Sequence, residues 1–319
     1  MKLQKILAIA MILCMALVVP ASAADFPNRT VRILIPFSAG GATDLMSRIM
    51  APAIASDLGV DVIVENRPGA QGAIAITELL AAPADGHTLI LASICSVAIN
   101  PNLSDVGYSR ADLIPIVQAA ELPTNIFVRA DGPFEDFEDM VRQASENFGR
   151  LTYATAGTGG SHHIVAEVLQ YNMGMQGLLT NVPFNSGTEA ITAVLGGHVD
   201  MAFANASYGE RFVNQSGEMR ILGTSLSRGC PVVPATPTFK TLGYDVTVAN
   251  WWGFFARTGT PEEVINRVAL AVENALSDPE IIESMTNVGI PPYFINRAEF
   301  TAKYNDHYEY LEELLPNIF

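Results

Sequence analysis

The chain has 319 residues, of which 33 are acidic and 18 are basic, so its formal net charge is −15 at pH 7. A surface this acidic repels nucleic acids and anionic lipid head groups, which argues against either as a partner. The length is enough for one large domain or two modest domains, each with its own hydrophobic core.

The first two dozen residues have the pattern of an export signal. Two lysines precede an apolar run at 6–19, and small residues at 21–23 match what a signal peptidase requires. We therefore predict a signal peptide at 1–23, cleaved after Ala23, with a retained N-terminal anchor as the alternative. No later stretch approaches the ~20 apolar residues of a spanning helix. The mature protein is expected to be soluble and periplasmic.

A strand, a small-residue loop and a helix recur along both halves of the chain. Runs of branched apolar residues predict strands at 31–36, 60–65, 88–92, 151–155, 199–204, 220–225 and 252–257. Apolar residues three and four apart predict helices at 44–54, 73–82, 162–171, 190–195, 260–276, from 279 onward, and at 297–315. This alternation indicates an α/β fold with a largely parallel sheet. Because no Pro/Gly/Ser-rich linker separates the halves, we expect two lobes joined by strands that cross between them.

The strand–loop–helix junctions are the candidates for a ligand site. The first turn of a helix has N–H groups without intrahelical partners and a partial positive charge, and small residues let an anion approach that backbone. We therefore predict that loops from the two lobes bind an anion with backbone amides and hydroxyls. The predicted ligand-binding residues at these junctions are Ser38, Ala39, Gly40, Gly41, Thr43, Asp44, Thr155, Ala156, Gly157, Thr158, Gly159, Ser161, His162, Ser186 and Gly187.

Several side chains near these loops have structural interpretations. Asp44 is expected to brace the first loop from the first turn of its helix. His162 and His163 are adjacent on a helix and point in different directions, so they cannot easily share a metal. We expect one histidine to line or cap the loop and the other to pack. Trp251 and Trp252 fit a hydrophobic core better than a ligand platform.

Motifs for catalysis and for cofactors are missing from the sequence. The loops match neither the P-loop nor the dinucleotide fingerprint, and there is no Gly-x-Ser-x-Gly elbow. We therefore predict a protein that is not an enzyme and has no cofactor and no metal; a periplasmic hydrolase on the same scaffold is the weaker alternative. Cys95 and Cys230 could form a disulfide in an export compartment or could both be free.

Blocks of the sequence resemble one known family. The Pro-Phe-Ser-Ala-Gly-Gly block at 36–41, the Val-Glu-Asn-Arg-Pro-Gly block at 64–69 and the Gly-Thr-Gly-Gly-Ser-His block at 157–162 are similar to motifs of the tripartite tricarboxylate transporter receptors, also called Bug proteins. The resemblance covers essentially the whole mature chain. It implies a type II periplasmic binding protein fold with a ligand cleft. The first lobe would hold 25–124 and 253–319, and the second lobe 125–252.

The resemblance also implies a function. The receptor would grip a small carboxylate between the lobes and deliver it to membrane permease subunits, and delivery to a sensor kinase is the alternative. A monomer is expected. The family's usual Pro-Tyr-Lys-Gly is replaced by Pro-Phe-Asn-Ser-Gly at 183–187, so a monocarboxylate or dicarboxylate is favoured over a tricarboxylate. For the far wall of the cleft we predict Phe37, Ser93, Asn205 and Tyr208. The Glu-Asn-Arg run at 65–67 is interpreted as a structural turn held by Arg67.

Overall fold

The computed structural model describes residues 26–246 and 248–319. The predicted signal peptide at 1–23 lies outside the described residues. Within them the chain forms two β-sheets with helices between the strands, which confirms the predicted α/β class with two sheets. No helix in these two ranges is both long enough and apolar enough to span a membrane.

Six strands form the first sheet. They are β1 (Val31–Ile35), β2 (Val62–Asn66), β3 (Thr88–Ser93), β4 (Leu113–Leu122), β10 (Asn250–Arg257) and β11 (Pro292–Ile295). Their order across the sheet is β11-β4-β10-β3-β1-β2. Strand β1 is parallel to β2 and β3, whereas β10 is antiparallel to β3 and β4. Together with its helices, this sheet is called the first lobe below.

Five strands form the second sheet. They are β5 (Thr124–Arg129), β6 (Leu151–Thr155), β7 (Leu179–Pro183), β8 (Met201–Asn205) and β9 (Met219–Thr224). Their order is β7-β6-β8-β5-β9, with β6 parallel to β7 and β8 and with β5 antiparallel to β8 and β9. This sheet and its helices form the second lobe. The expectation of largely parallel sheets is confirmed for the pairings of β1 with β2 and β3 and of β6 with β7 and β8, whereas β5, β10 and β11 are antiparallel to their neighbours.

Helices fill the connections between the strands. The first lobe contains α1 (Ala42–Leu58), α2 (Ala73–Ala81), α3 (Asn100–Leu103), α8 (Glu262–Ser277), α9 (Pro279–Asn287) and α10 (Arg297–Ile318). The second lobe contains α4 (Phe137–Glu146), α5 (Ser161–Asn172), α6 (Gly187–Leu195) and the single turn α7 (Ser207–Gly209). Shorter turns of 3-10 or π type occur at Ala70–Gly72, Cys95–Ile99, Arg110–Asp112 and Glu210–Gln215.

The two passages of the chain between the sheets lie side by side. Only Pro123 separates β4 from β5. On the return passage β10 begins at Asn250, which pairs with Leu122 at the end of β4. Two adjacent strands therefore connect the sheets, as a hinge between lobes requires. The lobe boundaries at 124/125 and 252/253 stay a prediction.

Helix α10 packs against both lobes. Its residues Phe300 and Tyr304 lie edge-on to the ring of Trp251, with centroids 5.3 Å and 6.2 Å away. At its end, the ring of Phe319 lies 5.5 Å from the ring of His163 on α5. The last helix thus buries aromatic surface beside the start of β10 and reaches the second lobe at its end.

Candidate functional site

A cleft of about 440 Å³ lies between the two lobes. Both lobes contribute loops and the first residues of helices to its walls. The lining residues are Phe37, Gly41, Ala42, Thr43, Gln71, Ser93, Cys95, Asn250 and Trp252 from the first lobe, and Ala156, Gly157, Thr158, Gly160, Ser161, His162, Asn185 and Asn205 from the second.

The first wall is the loop between β1 and α1. Gly41 is the N-cap of α1, in an extended conformation, and no side chain caps the helix among the described residues. The N–H groups of the first turn are therefore left for water or a ligand. The hydroxyl oxygen of Thr43 accepts a hydrogen bond from Trp252 Nε1 at 3.0 Å, so its own proton is free to be donated.

Asp44 holds this loop from behind. Its carboxylate accepts hydrogen bonds from Gly40 N, Arg48 Nε and Asn66 Nδ2, each at 2.9 Å, and the residue is 3% exposed. Burial alone would raise the pKa of Asp44, but the hydrogen bonds from Arg48, Gly40 and Asn66 outweigh it and hold the pKa below its usual value. The bracing role predicted for Asp44 is confirmed, and its carboxylate is fully engaged away from the cleft.

The 65–67 turn extends this support. Asn66 Nδ2 donates to the carbonyl of Phe37 at 3.1 Å. Arg67 donates to the carbonyl of Asn66 at 3.1 Å, to Glu65 at 2.9 Å and to Glu78 at 2.6 Å. The prediction that Arg67 holds the turn is confirmed. The turn thus supports the first loop through the bond from Asn66 to Phe37, and none of its three residues lines the cleft.

The second wall is the loop between β6 and α5. Gly160 is the N-cap of α5, again in an extended conformation and without a side-chain cap in the described part of the chain. Thr155 is fully buried, and its hydroxyl lies within hydrogen-bond distance of two acceptors, Asn181 Oδ1 at 3.0 Å and Gly157 O at 3.2 Å, so it braces the loop. The N–H of Gly159 donates to His163 Nδ1 at 3.1 Å. Both walls are thus helix N-termini with a glycine at the N-cap and no N-cap side chain over the first turn, although the N–H of Ser161 is engaged by Cys95 Sγ.

The two histidines of α5 have different positions. His163 is buried, caps the loop through Gly159 and stacks near the ring of Tyr153. His162 lines the cleft, and its Nε2 lies 3.0 Å from Asn205 Oδ1. A carboxamide oxygen only accepts, so His162 Nε2 carries a proton. Burial lowers the pKa of His162, against the weaker opposing effect of the Asn205 hydrogen bond, and the ring is neutral at pH 7.

Two polar contacts join the lobes across the cleft. Gln71 Nε2 donates to the carbonyl of Thr158 at 3.3 Å, and the N–H of Ser161 donates to Cys95 Sγ at 3.2 Å. Cys95 and Cys230 are both free thiols, so of the two possibilities left open by the sequence the structure has the reduced one. The lobes therefore contact each other across the cleft.

The back wall combines an indole with an unpaired amide. Trp252 is 3% exposed and lines the cleft, whereas Trp251 is fully buried in the core. Asn250 is 7% exposed, and its Oδ1 has no hydrogen-bond partner among the described residues. Buried polar atoms are nearly always paired, so this position is suited to a bound water or a polar ligand group.

The lining of the cleft overlaps with the residues predicted from sequence but differs from them. The predicted residues in the lining are Phe37, Gly41, Thr43, Ser93, Ala156, Gly157, Thr158, Ser161, His162 and Asn205. Those outside the lining, in or behind the same loops, are Ser38, Ala39, Gly40, Asp44, Thr155, Gly159, Ser186, Gly187 and Tyr208. Tyr208 lies against Gly187 and so covers the start of α6 instead of facing the cleft.

Sequence reasoning missed several lining residues. They are Ala42, Gln71, Cys95, Gly160, Asn185, Asn250 and Trp252. Gln71 and Asn185 belong to loops that the sequence already marked, so their loops were a usable signal. Asn250, Cys95 and Trp252 reach the cleft only through the packing of β3 and β10. Across 26–246 and 248–319, no group of three His, Cys, Asp or Glu side chains could hold a metal ion.

Two α/β lobes, joined by paired strands around an interlobe cleft, define the class of two-lobed solute-binding proteins. Residues 46–315 match the model of the tripartite tricarboxylate transporter family receptor, and the chain belongs to this family. The family resemblance found in the sequence is thereby confirmed. The chain is accordingly a solute-binding receptor and not an enzyme.

Individual relatives agree with this assignment. The chain is 33% identical over 271 residues to a Pseudomonas sp. (strain P51) protein described as a UPF0065 protein in the tcbD-tcbE intergenic region, covering 83% of this chain and 79% of that one. It is similar to the periplasmic binding protein BugD, with 27% identity, a TM-score of 0.75 and coverage of 92% and 98%. MatC from Rhodopseudomonas palustris, solved with bound malate, has 26% identity, a TM-score of 0.75 and coverage of 90% and 99%.

Proposed function

We propose that this receptor captures a small carboxylate in the interlobe cleft, in the periplasm, and delivers it to the permease subunits of a tripartite transporter. The observation that carries the proposal is the pair of uncapped, glycine-started helices, α1 and α5, whose first turns face the cleft from opposite lobes. A carboxylate between them would accept hydrogen bonds from both. The malate bound to MatC supports a carboxylate ligand.

The local chemistry suits an anion although the whole protein is acidic. With a net charge of −15, the molecule gives no long-range attraction to a carboxylate. The binding energy therefore comes from short-range donors: the first-turn N–H groups, the Thr43 hydroxyl and the amides of Asn205 and Asn250. Helix dipoles add to this because their positive ends converge on the same space.

Closure of the lobes would follow from ligand binding. A ligand that contacts both walls does so only when the lobes are shut, so binding shifts the population towards the closed form. The Gln71–Thr158 and Cys95–Ser161 contacts would add to the stability of that form. The closed form is the one that we expect a permease to recognise. A two-lobed monomer with boundaries at 124/125 and 252/253 fits this cycle.

A thermal-shift screen with monocarboxylates and dicarboxylates tests the proposal. We expect at least one carboxylate to raise the melting temperature in a concentration-dependent way, since a ligand that binds only the folded state stabilises it. The Gly41→Val and Gly160→Val variants should each abolish that shift, because a branched side chain would cover one helix N-terminus. Both positions have φ values that other residues adopt, and a Cβ there would meet only backbone oxygens, the nearest at ordinary contact distances of 3.4 Å and 3.5 Å, so both variants should fold.

An exposed substitution is the control. Ala81→Val, at the exposed end of α2, adds a comparable side chain and should leave the shift unchanged. If no carboxylate stabilises the folded protein, or if the two glycine variants respond like the wild type, the proposed site is wrong. Uptake of the identified ligand by cells that carry the permease subunits then tests delivery. Binding without uptake would point to a sensory role instead.

A further inference from the structure

The lining of the cleft carries no formal charge at neutral pH. None of the lining residues given above is an Asp, Glu, Lys or Arg. Its two titratable side chains are Cys95 and His162, and burial raises the pKa of the thiol and lowers the pKa of the imidazole. Both side chains are thus uncharged at pH 7. Any charge on the ligand must be balanced by backbone dipoles and neutral donors alone.

Two helix N-termini balance about one negative charge. The macrodipole of a helix is equivalent to roughly half a positive charge at its N-terminus. Helices α1 and α5 are long enough to develop it, and neither has an N-cap side chain in the described residues. Asp44 in the first turn of α1 is paired with Arg48 at 2.9 Å, so this pair adds no net charge, and in the described first turn of α5 only the N–H of Ser161 is engaged by a side chain, Cys95. The partial positive charges at the two N-termini together therefore balance the charge of a single carboxylate.

The N-terminus of α6, the third helix near the cleft, is already capped by side chains of its own segment. Ser186 caps α6 by accepting from the N–H of Glu189 at 3.2 Å. The Glu189 carboxylate in turn accepts from the N–H of Asn185 at 3.2 Å, so it lies over the N-terminus of α6. Asn185 lines the cleft, so this negative charge lies beside the part of the cleft wall that Asn185 forms.

We infer that the ligand of this cleft is a monocarboxylate with an uncharged body, and that the cleft selects against a second carboxylate. The inference rests on the proposed function and narrows it. A desolvated carboxylate without a charge partner or a full set of donors is strongly disfavoured. The volume of about 440 Å³ leaves room for a body beyond the carboxylate. Phe37 and Trp252 offer it apolar surface, and Asn205 and Asn250 offer it neutral hydrogen bonds.

Pairs of probes that differ only in charge test this inference. Succinate and succinamate have nearly the same shape, as do malate and malamate, and in each pair the amide replaces the second carboxylate. Isothermal titration should give at least tenfold tighter binding for the amide of the pair that binds better. Equal or tighter binding of the dicarboxylate would overturn the inference while leaving the proposed function intact. If neither the pairs nor the thermal-shift panel contain a binder, the proposed function itself fails.

A substitution that adds a positive charge at Asn185 gives a second, independent test of the inference. Asn185→Lys adds a cation at the cleft wall beside Glu189, and it should improve binding of the dicarboxylate at least tenfold relative to the amide probe. Asn185→Gln changes the length of the side chain without adding charge and serves as the matched control. Since Asn185 is exposed, both variants should fold. An unchanged preference in Asn185→Lys would contradict the argument that missing positive charge sets the selectivity.

Discussion

At the scale of single residues, the binding loops depend on carboxylates and amides that do not face the ligand. The carboxylate of Asp44 accepts hydrogen bonds from its own loop, from the next turn of its helix and from the neighbouring strand. Asn66 adds a bond to the backbone of Phe37. This support fixes the backbone of the loop and so fixes the direction of its N–H groups. A binding site made of backbone N–H groups needs such support, because a backbone donor cannot reorient by changing its rotamer.

Replacing Asp44 should destabilise the protein and disturb the first loop. Asp44→Asn removes the charge that three donors share, so we expect a loss of about 1.5–3 kcal/mol in the free energy of unfolding. Denaturant unfolding at pH 7 measures the loss, and carboxylate affinity should fall in parallel. Asp61→Asn, at an exposed position, should change stability by less than about 0.5 kcal/mol.

The difference in unfolding free energy between the wild type and Asp44→Asn should depend on pH in a definite direction. The pKa of Asp44 is lowered in the folded state, so its contribution is present above the unfolded value of about 3.9 and is lost as the pH falls through the folded value. The difference between the wild type and Asp44→Asn should therefore be constant from pH 5 to 7 and shrink below about pH 4. A difference that grows on acidification would contradict the assignment.

At the scale of elements, the junction between β2 and α2 has an unusual backbone conformation. Four successive residues have positive φ: Gly69 at 130°, Ala70 at 45°, Gln71 at 50° and Gly72 at 99°. The Asn100 side chain donates to the carbonyl of Ala70 at 2.9 Å and helps to hold this conformation. The unusual backbone points Gln71 towards the second lobe, where it reaches Thr158.

Gly72 should be the least replaceable residue of that turn. A Cβ at this position would lie 2.3 Å from Ser96 Oγ and 2.7 Å from Ser96 Cβ, in addition to the strain of a positive φ. We expect Gly72→Ala to cost about 3 kcal/mol or more in unfolding free energy. Gly59→Ala is the control, because Gly59 also has a positive φ but nothing lies within 4 Å, so only about 1 kcal/mol is expected. Equal losses would refute the steric argument.

The sequence predicted the elements with local signatures and missed those without them. Apolar spacing identified α1 and α8 and runs of branched residues identified β1 and β3, because these patterns are complete within one segment. Strand β4 contains Glu121, which is 5% exposed and is paired with Lys303 on α10 and Arg228 after β9. A buried acid is unexpected in a strand until its distant partners are known.

At the scale of the whole molecule, the lobes are linked at the hinge and by contacts across the cleft. Arg228, which follows β9, donates to the Glu121 carboxylate at 3.1 Å and stacks 3.8 Å above the ring of Tyr293 on β11. The contact of Ser161 with Cys95 crosses the cleft. In the proposed cycle, opening of the cleft would break this contact and a bound ligand would oppose the opening.

Cys95 is a native reporter of this opening. Its thiol lies in the cleft against the first turn of α5, and burial raises its pKa, so alkylation requires the lobes to part. We expect iodoacetamide to label Cys95 in the free protein and a saturating ligand to slow the labelling at least tenfold, as read by peptide mass mapping. Cys230, 2% exposed, should stay unlabelled in both states. Equal labelling of Cys95 with and without a proven ligand would exclude the closure cycle.

The sequence by itself determined the family, the α/β class and the loops that form the walls, because glycine-rich turns and helix starts are encoded within a few consecutive residues. It also predicted that Asp44 braces the first loop and that Arg67 holds the turn at 65–67. Only the tertiary structure decided which residues face the cleft, that Asn250 and Trp252 form its back wall, and that α6 is closed off by Glu189. Those features depend on contacts between segments far apart in the chain, and a local pattern contains no information about its distant neighbours.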